Sequence, residues 1–524
     1  MSLIQTLTGN PAVRSVVNNS FHAWAGWRIG SLNRTNAVEA QKLLLKKLIK
    51  KAAKTRFGQD HQFNSIRSAA DFQSAVPIRT YEKFWDEYLK NVFPRAENLA
   101  WPGLIPFYAL TSGTTQGATK YIPVTWEMVQ SNLIASRTMV AQHLAARPDS
   151  KLFHGRFFFL GGSTALEQIS PGVMQGDLSG IAAREVTEAL RPYTFPPLSL
   201  ALETDWEKKL QAFAQGSILE PITLVSGVPS WLLILFERIF QITGKSTLSE
   251  VWPTLEMVVH GGVKFEPYRS RFEAILGDPQ KIRLQETYPC SEGFIAIEDM
   301  ATPHLRLLYD HGIFYEFVPV DELDSAQPTR HWLGNVQTGI NYAIVVSTCS
   351  GMWSHLIGDT VRFESVDPPL ITFTGRTKYS LSAFGEHLIS EEIELSLASV
   401  AESMGSTVAE WHVGPVFQGA LGFHKYVVEF EKSPEDLGQF RDALDAQLCL
   451  RNADYQAHRA EGVGIPSPEI IEVSSSTFRE WMKSMGKLGG QHKVPRMDGS
   501  GKLTEKLVDY LNQHDRKIRS VGPG

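Results

Sequence analysis

The stretch LTSGTTQGATKYIPVT, Leu110–Thr125, sets small hydroxyls, two glycines and one lysine in a loop, then runs on into apolar residues of strand character. Closely spaced backbone N–H groups and hydroxyls beside a lysine suit phosphate oxygens. Spacing then narrows the kind of phosphate chemistry. A Walker-type loop needs four residues between its glycines and a Lys-Ser/Thr pair directly after them. Here three residues separate Gly113 from Gly117, Lys120 comes later, and Tyr121 follows it. That argues against a Walker NTPase. Alone, the loop would suit a plain Gly/Ser/Thr-rich surface turn equally well, so its surroundings decide.

Outward from the loop, short apolar runs alternate with amphipathic stretches up to about residue 375. The expected strands are GRFFFL (155–160), PITLVSG (221–227), LEMVVHGG (255–262), KIRLQETY (281–288), IFYEFVPV (313–320) and NYAIVVST (341–348). PSWLLILFERIFQITG reads as a helix between two of them, with Pro229 in the first turn and Gly244 as its stop. VRFESV and LITFTGR form a hairpin-like pair ending at Gly375-Arg376. Alternating strands and helices imply an α/β class with largely parallel, buried sheets. Residues before about 100 read as mostly helical, with turn signals at Gly58-Gln59-Asp60 and Val76-Pro77. After the hairpin, SEEIELSLASVAESMG has a capped helical start, HKYVVEFE and PEIIEVS are strands, and EDLGQFRDALDAQL is a helix. These make a smaller α+β domain. The expected division is 1–376 for a large ATP- and acyl-binding domain and 377–524 for a small mobile one, the short join serving as a hinge.

Bulk properties fit an ordinary globular protein of more than one domain: 524 residues, 43% hydrophobic and 20% charged. A net charge of −5 offers no general attraction to nucleic acid or an anionic membrane, and neither is expected as a partner. EAQKLLLKKLIKKAAK combines an apolar stripe with six lysines; a basic amphipathic helix of this kind can lie on a bilayer, but with nothing else in the chain basic it reads as a surface helix packed on the core. Cys290, Cys349 and Cys449 are odd in number and widely spaced, which favours a reducing compartment. The N-terminal residues lack a signal-peptide pattern, and a cytoplasmic location is expected.

The pattern Thr-Ser-Gly-Thr-Thr-Gln-Gly-x-x-Lys resembles the phosphate loop of acyl-adenylate-forming enzymes. More closely, the chain resembles the auxin-responsive acyl-acid amido synthetase family, in its bacterial branch. KTRFGQDHQFNSI, AVPIRTYEKF, the loop, TYPCSEG, SGMWSHLIGDTVRF, FTGR and GQHKVPR carry the resemblance in the family's order along nearly the whole chain. One departure stands out. Trp353 and His355 occupy the places of the usual Tyr and Arg in the Gly-Asp motif, which puts any role of that arginine in doubt.

The resemblance implies a set of roles. Ser112, Gly113, Thr114, Thr115 and Gly117 would cradle phosphates, with Lys120 supplying charge for the outer phosphates or leaving pyrophosphate. Tyr288 would pack on adenine, Ser291 contact the α-phosphate, Glu292 help hold Mg²⁺, Asp359 accept from ribose hydroxyls, and Arg376 contact the ribose. His260 and Gly262 follow a strand where relatives bring backbone against nucleotide or acyl group; Gly161 and Gly162 form a similar strand-end loop bordering an acyl pocket. In the C-terminal unit two lysines compete. The wider superfamily pattern points to Lys502 as the residue meeting the forming adenylate, and the closer family match points to Lys493. The expected activity is ATP- and Mg²⁺-dependent adenylation of a small carboxylic acid, then acyl transfer to an amine, expected to be an amino acid. The alternatives are an acyl-CoA ligase using the same adenylate and a non-catalytic nucleotide-binding protein.

Overall fold

The computed structural model describes residues 10–111, 120–161, 166–184, 190–201, 206–262, 265, 268–323, 325–377, 380–386, 388–418, 422–459, 465–485 and 494–523. They fall into two compact units, the larger ending at Thr377 and the smaller occupying the rest of the chain.

In the larger unit the first two long helices are capped by asparagine. Asn10 accepts from Ala12 N ahead of Pro11–Arg34, and Asn36 from Glu39 N ahead of Ala37–Ala52. The lysine-rich helix buries Ala37, Gln41, Leu45, Leu48, Ile49 and Ala52 and turns its lysines outward, as a surface helix should. The turn expected at Gly58-Gln59-Asp60 is instead the end of a short helix, Arg56–Asp60. Gly58 is there for packing: a Cβ would lie 2.2 Å from the Ala52 carbonyl oxygen.

The centre is a twelve-stranded sheet. From one edge its order is His331–Trp332, Ile313–Pro319, Asn341–Thr348, His355–Val366, Pro369–Arg376, Leu305–Leu307, Gly293–Glu298, Arg283–Cys290, Met257–Gly261, Ile222–Gly227, Arg156–Leu160 and Thr194–Phe195. The expected parallel pairing holds from Thr194–Phe195 through Arg283–Cys290. Beyond that strand every pairing is antiparallel, and the turns at Ser291-Glu292 and Asp367-Pro368 are two-residue hairpins too short for a crossover. The six strands read from the sequence all lie in this sheet, with ends shifted by a few residues.

Period-two alternation positions the sheet between layers. Phe157, Leu224, Met257 and Val259 pack with Ala135, Met139 and Leu144 of the helix Trp126–Ala146. Phe158, next along, meets Trp252 on its own side, and Trp252 meets Phe236 of the helix Pro229–Thr243. That helix ends as its sequence indicates, with Gly244 left-handed at φ 68° and its N–H on the Phe240 carbonyl. A separate four-stranded sheet orders Lys120–Val124, Phe107–Thr111, Val173–Gly176 and Glu167–Ser170. Thr125 then caps Trp126–Ala146 by accepting from Met128 N.

The smaller unit is a four-stranded sheet, Thr407–Val416, Phe423–Lys432, Glu469–Val473 and Lys517–Val521. Tyr426, Val428 and Ile470 face the helices Ser390–Ser403 and Leu437–Arg451, whereas Val427 and Ile471 face Thr477–Ser484 and Lys502–Gln513. The strands and helices expected from HKYVVEFE, PEIIEVS, SEEIELSLASVAESMG and EDLGQFRDALDAQL are all present.

Candidate active site

The site is built where the large sheet changes from parallel to antiparallel. Cys290 and Gly293 are register partners, so Ser291 and Glu292 form the two-residue turn between Arg283–Cys290 and Gly293–Glu298. This turn lies just past the carboxyl end of the last parallel strand, where open α/β sheets bind ligands. Next in importance is the hairpin His355–Val366 with Pro369–Arg376, in which Asp359 sits opposite Arg376.

Three expected nucleotide residues meet here. The Tyr288 hydroxyl donates to Asp359 Oδ2 at 2.7 Å, and Arg376 Nε lies 2.9 Å from Asp359 Oδ1. Tyr288 is buried, meets Phe373 edge-on at 5.6 Å, and has its phenol pushed well above its ordinary range by burial and by the Asp359 charge. It therefore stays a donor at all physiological pH. Asp359 keeps unused lone pairs, since a carboxylate offers about four acceptor sites.

Glu292 faces the His355 imidazole, with Oε1 3.6 Å from Nε2. Burial pushes the Glu292 carboxyl up, but His355 and the Lys120 charge outweigh that and hold it below its ordinary range. A partly buried carboxylate kept ionised beside Lys120 has the chemistry of a hard-cation ligand. Mg²⁺ takes one or two carboxylates and completes its shell with phosphate oxygens and water, so this donor set fits it. Among the described residues no group of three His, Cys, Asp or Glu forms a ready-made cage.

Lys120 opens the strand Lys120–Val124 directly opposite Thr111, so the ends of the glycine-rich loop meet at paired strand residues. The residues between, including Ser112, Gly113, Thr114, Thr115 and Gly117, lie outside the described residues, as do Gly162 and Lys493. The Lys120 ammonium lies 3.6 Å from Glu82 and 5.4 Å from the centre of the Tyr81 ring. Tyr81 in turn accepts from Tyr121 N at 2.8 Å.

Four residues here carried no role in the sequence reading. AVPIRTYEKF was a marker of resemblance, yet it supplies Tyr81 and Glu82 beneath Lys120. It also supplies Arg79, whose N–H donates to the Ser354 carbonyl and whose carbonyl accepts from Leu356 N, bracketing His355. His355 itself, expected only as a replacement for arginine, is the side chain that faces Glu292. Trp353 belongs to the core, among Phe57, Phe63, Phe72 and Trp101.

His260 does not reach solvent. Its ring stacks on Phe265 with centroids 3.6 Å apart, and burial drives its pKa down to about 3, leaving it neutral. What this segment offers a nucleotide or acyl group is backbone: a Cβ on Gly261 would strike the Thr287 carbonyl at 2.4 Å, and Gly262 turns away at φ 86°. Gly161 directly follows the parallel strand Arg156–Leu160, which lies two places along the sheet.

In the smaller unit Lys502 is the exposed first residue of the helix Lys502–Gln513. Asp498 fixes that helix start by accepting from Leu503 N and Thr504 N at 2.6 and 2.9 Å. His412 bonds Thr504 Oγ1 and the Pro495 carbonyl, tying the same segment to the sheet.

Three consecutive family models cover most of this chain: the GH3 family N-terminal domain at 31–160 and 168–281, the central domain at 306–376, and the C-terminal domain at 391–501. The chain belongs to the GH3 family. Among its relatives is a jasmonoyl-L-amino acid synthetase, JAR4, from Nicotiana attenuata, 22% identical over 90% of this chain and 92% of that one. The fold is similar to AtGH3.15 acyl acid amido synthetase, solved with 2,4-DB, at 17% identity and TM-score 0.59 over 99% and 98% of the two chains. It is also similar to a 2-hydroxyisobutyryl-CoA ligase solved with 2-HIB-AMP and CoA, at 14% identity and TM-score 0.58 over 92% and 94%.

Proposed function

We propose that this protein uses ATP and Mg²⁺ to adenylate a small organic acid and then transfers the acyl group to an amine, an amino acid by family, releasing AMP. The observation that carries this reading is the meeting of Tyr288, Asp359, Arg376 and ionised Glu292 at the sheet's parallel-to-antiparallel seam, in a chain that the GH3 domains match along most of its length.

In the first half-reaction a carboxylate oxygen attacks the α-phosphorus and the bond to the bridging oxygen breaks, releasing pyrophosphate. Bound Mg²⁺ would supply Lewis-acid neutralisation of phosphate charge, with Glu292 as its protein ligand. Lys120 neutralises charge on the departing phosphates, and the loop residues Ser112, Gly113, Thr114, Thr115 and Gly117 donate to them. Asp359 accepts from ribose hydroxyls, Tyr288 packs on adenine and Arg376 contacts the ribose, and the bonds of both to Asp359 also hold its orientation. Ser291 contacts the α-phosphate. Gly161, Gly162, Gly262 and the His260 backbone border nucleotide and acyl group. Lys502, or Lys493, adds a cation in the first half-reaction. In the second, the amine nitrogen attacks the acyl carbon and loses a proton, and AMP leaves with the bonding pair. Three dispersed free cysteines support a cytoplasmic location.

The test is acid-dependent pyrophosphate release across an acid library, with and without amino acids. Amide and AMP should appear with an amino acid present. Thioester formed with coenzyme A, and no amide with any amino acid, would assign the acyl-CoA reading instead.

A further inference from the structure

The helix Ala37–Ala52 uses its apolar stripe on the core, and its other side is a fan of cations. At about 100° per residue, Lys42, Lys46, Lys47, Lys50 and Lys51 spread over roughly half the helix circumference, and Lys54 follows just beyond the helix end. All six are exposed. Lys42 pairs with Glu39 and Lys51 with Glu127, whereas Lys46, Lys47, Lys50 and Lys54 make no ion pair among the described residues. Leu43 lies near the middle of the fan and is 69% exposed, one of the most open large apolar side chains described. Such a concentration of positive charge runs against the chain's net −5.

We propose that this face docks reversibly on an anionic phospholipid bilayer, with Leu43 entering between headgroups and the lysines on lipid phosphates. This departs from the expectation, drawn from overall charge, of no membrane partner. The surface is the convex side of a single helix, which suits a broad, deformable anionic plane. Lysine stems can lie along the apolar boundary while their ammonium groups stay at the phosphates. A leucine at the crest gains by entering the acyl boundary and gains little against a sugar–phosphate backbone. The fan carries no arginine for bidentate base or phosphate contacts and no aromatic ring to stack a base, which disfavours nucleic acid. No described helix is long and apolar enough to cross a membrane, so the association is peripheral.

The experiment is co-sedimentation of the full chain with vesicles of phosphatidylcholine, alone or mixed with phosphatidylglycerol, at low and high salt. Wild type should sediment only with the anionic vesicles and come off as salt rises. A Lys46→Gln, Lys47→Gln, Lys50→Gln, Lys54→Gln variant should bind about 100-fold more weakly or worse, since each lysine near such a surface is worth roughly a five-fold change. Leu43→Ser should weaken binding several-fold and leave the salt dependence intact. Both variants should melt as wild type does, because none of these side chains anchors the core. No sedimentation, equal sedimentation with neutral vesicles, or wild-type binding by the quadruple variant would overturn the proposal. Retention on duplex DNA as strong as on vesicles, and indifferent to Leu43→Ser, would overturn it in favour of a nucleic-acid surface.

Discussion

Lys120 makes two weak contacts and has one strong opportunity. Its side chain is 22% exposed and its ammonium lies 3.6 Å from Glu82, a solvent-reached pair worth at most about 1 kcal/mol. Lys120→Ala should therefore melt close to wild type. Charge developing on leaving phosphates is a different matter: losing one such contact costs a few kcal/mol, or roughly 10²-fold or more in acid-dependent pyrophosphate release. Melting and turnover measured side by side separate the two, and wild-type turnover would remove Lys120 from the phosphate site. Glu292 is the complementary case. His355 and Lys120 keep its carboxyl below its ordinary range although burial opposes them, so it meets a cation ready-ionised at neutral pH. Glu292→Gln should still bind ATP while needing much more Mg²⁺ for adenylation, read from a Mg²⁺ titration of pyrophosphate release. An unshifted titration would mean that the metal is held elsewhere.

Among the elements, the buried pair Glu386 and His424 carries the clearest consequence for stability. Glu386 accepts from Ala383 N and Phe384 N at 3.2 and 2.7 Å, and His424 Nε2 lies 2.8 Å from its Oε1. Burial pushes this carboxyl up, but the His424 charge, their hydrogen bond, its own backbone and the His458 charge bring it down to about 2 from an ordinary 4.5. A depressed folded-state pKa adds stability that is complete above about 4.5 and is lost as pH falls toward 2. Glu386→Gln should cost roughly 3 kcal/mol at neutral pH by stranding a buried partner. The gap between variant and wild type should then close on acidification below 4.5, measured by urea unfolding across pH. A gap independent of pH would exclude Glu386 from the acid-labile groups. Elements like these also show what a sequence makes readable. The strand NYAIVVST and the helix from Pro229 to Gly244 announce themselves through apolar runs and terminal residues, and they stand where expected. The facing of Asp359 and Arg376 follows once the hairpin is read. The approach of Arg79 to His355 and of His355 to Glu292 joins distant segments, and no local period encodes such a meeting.

For the molecule as a whole, the division of labour between units gives the broadest test. The described residues proposed for the nucleotide belong to the larger unit, and Lys502 to the smaller. If the small unit supplies its cation only to adenylation, Lys502→Ala should slow adenylate formation while leaving aminolysis of a supplied acyl-adenylate nearly intact. Lys493→Ala is the control, and a split seen only there would transfer the role to Lys493. Absence of the split in both variants would leave adenylation without a lysine from that unit. One earlier detail bears on how such an enzyme diversifies. Thr111 and Lys120 are paired strand residues, so the eight positions between them close on a fixed base. Doubling the length of a flexible loop costs only about 0.6 kcal/mol in closure entropy. Sequence and length can therefore drift inside that ring almost without charge to folding, while Lys120 keeps its address in the sheet. Folding thus fixes the two ends of that segment and leaves the choice of the residues between them to function.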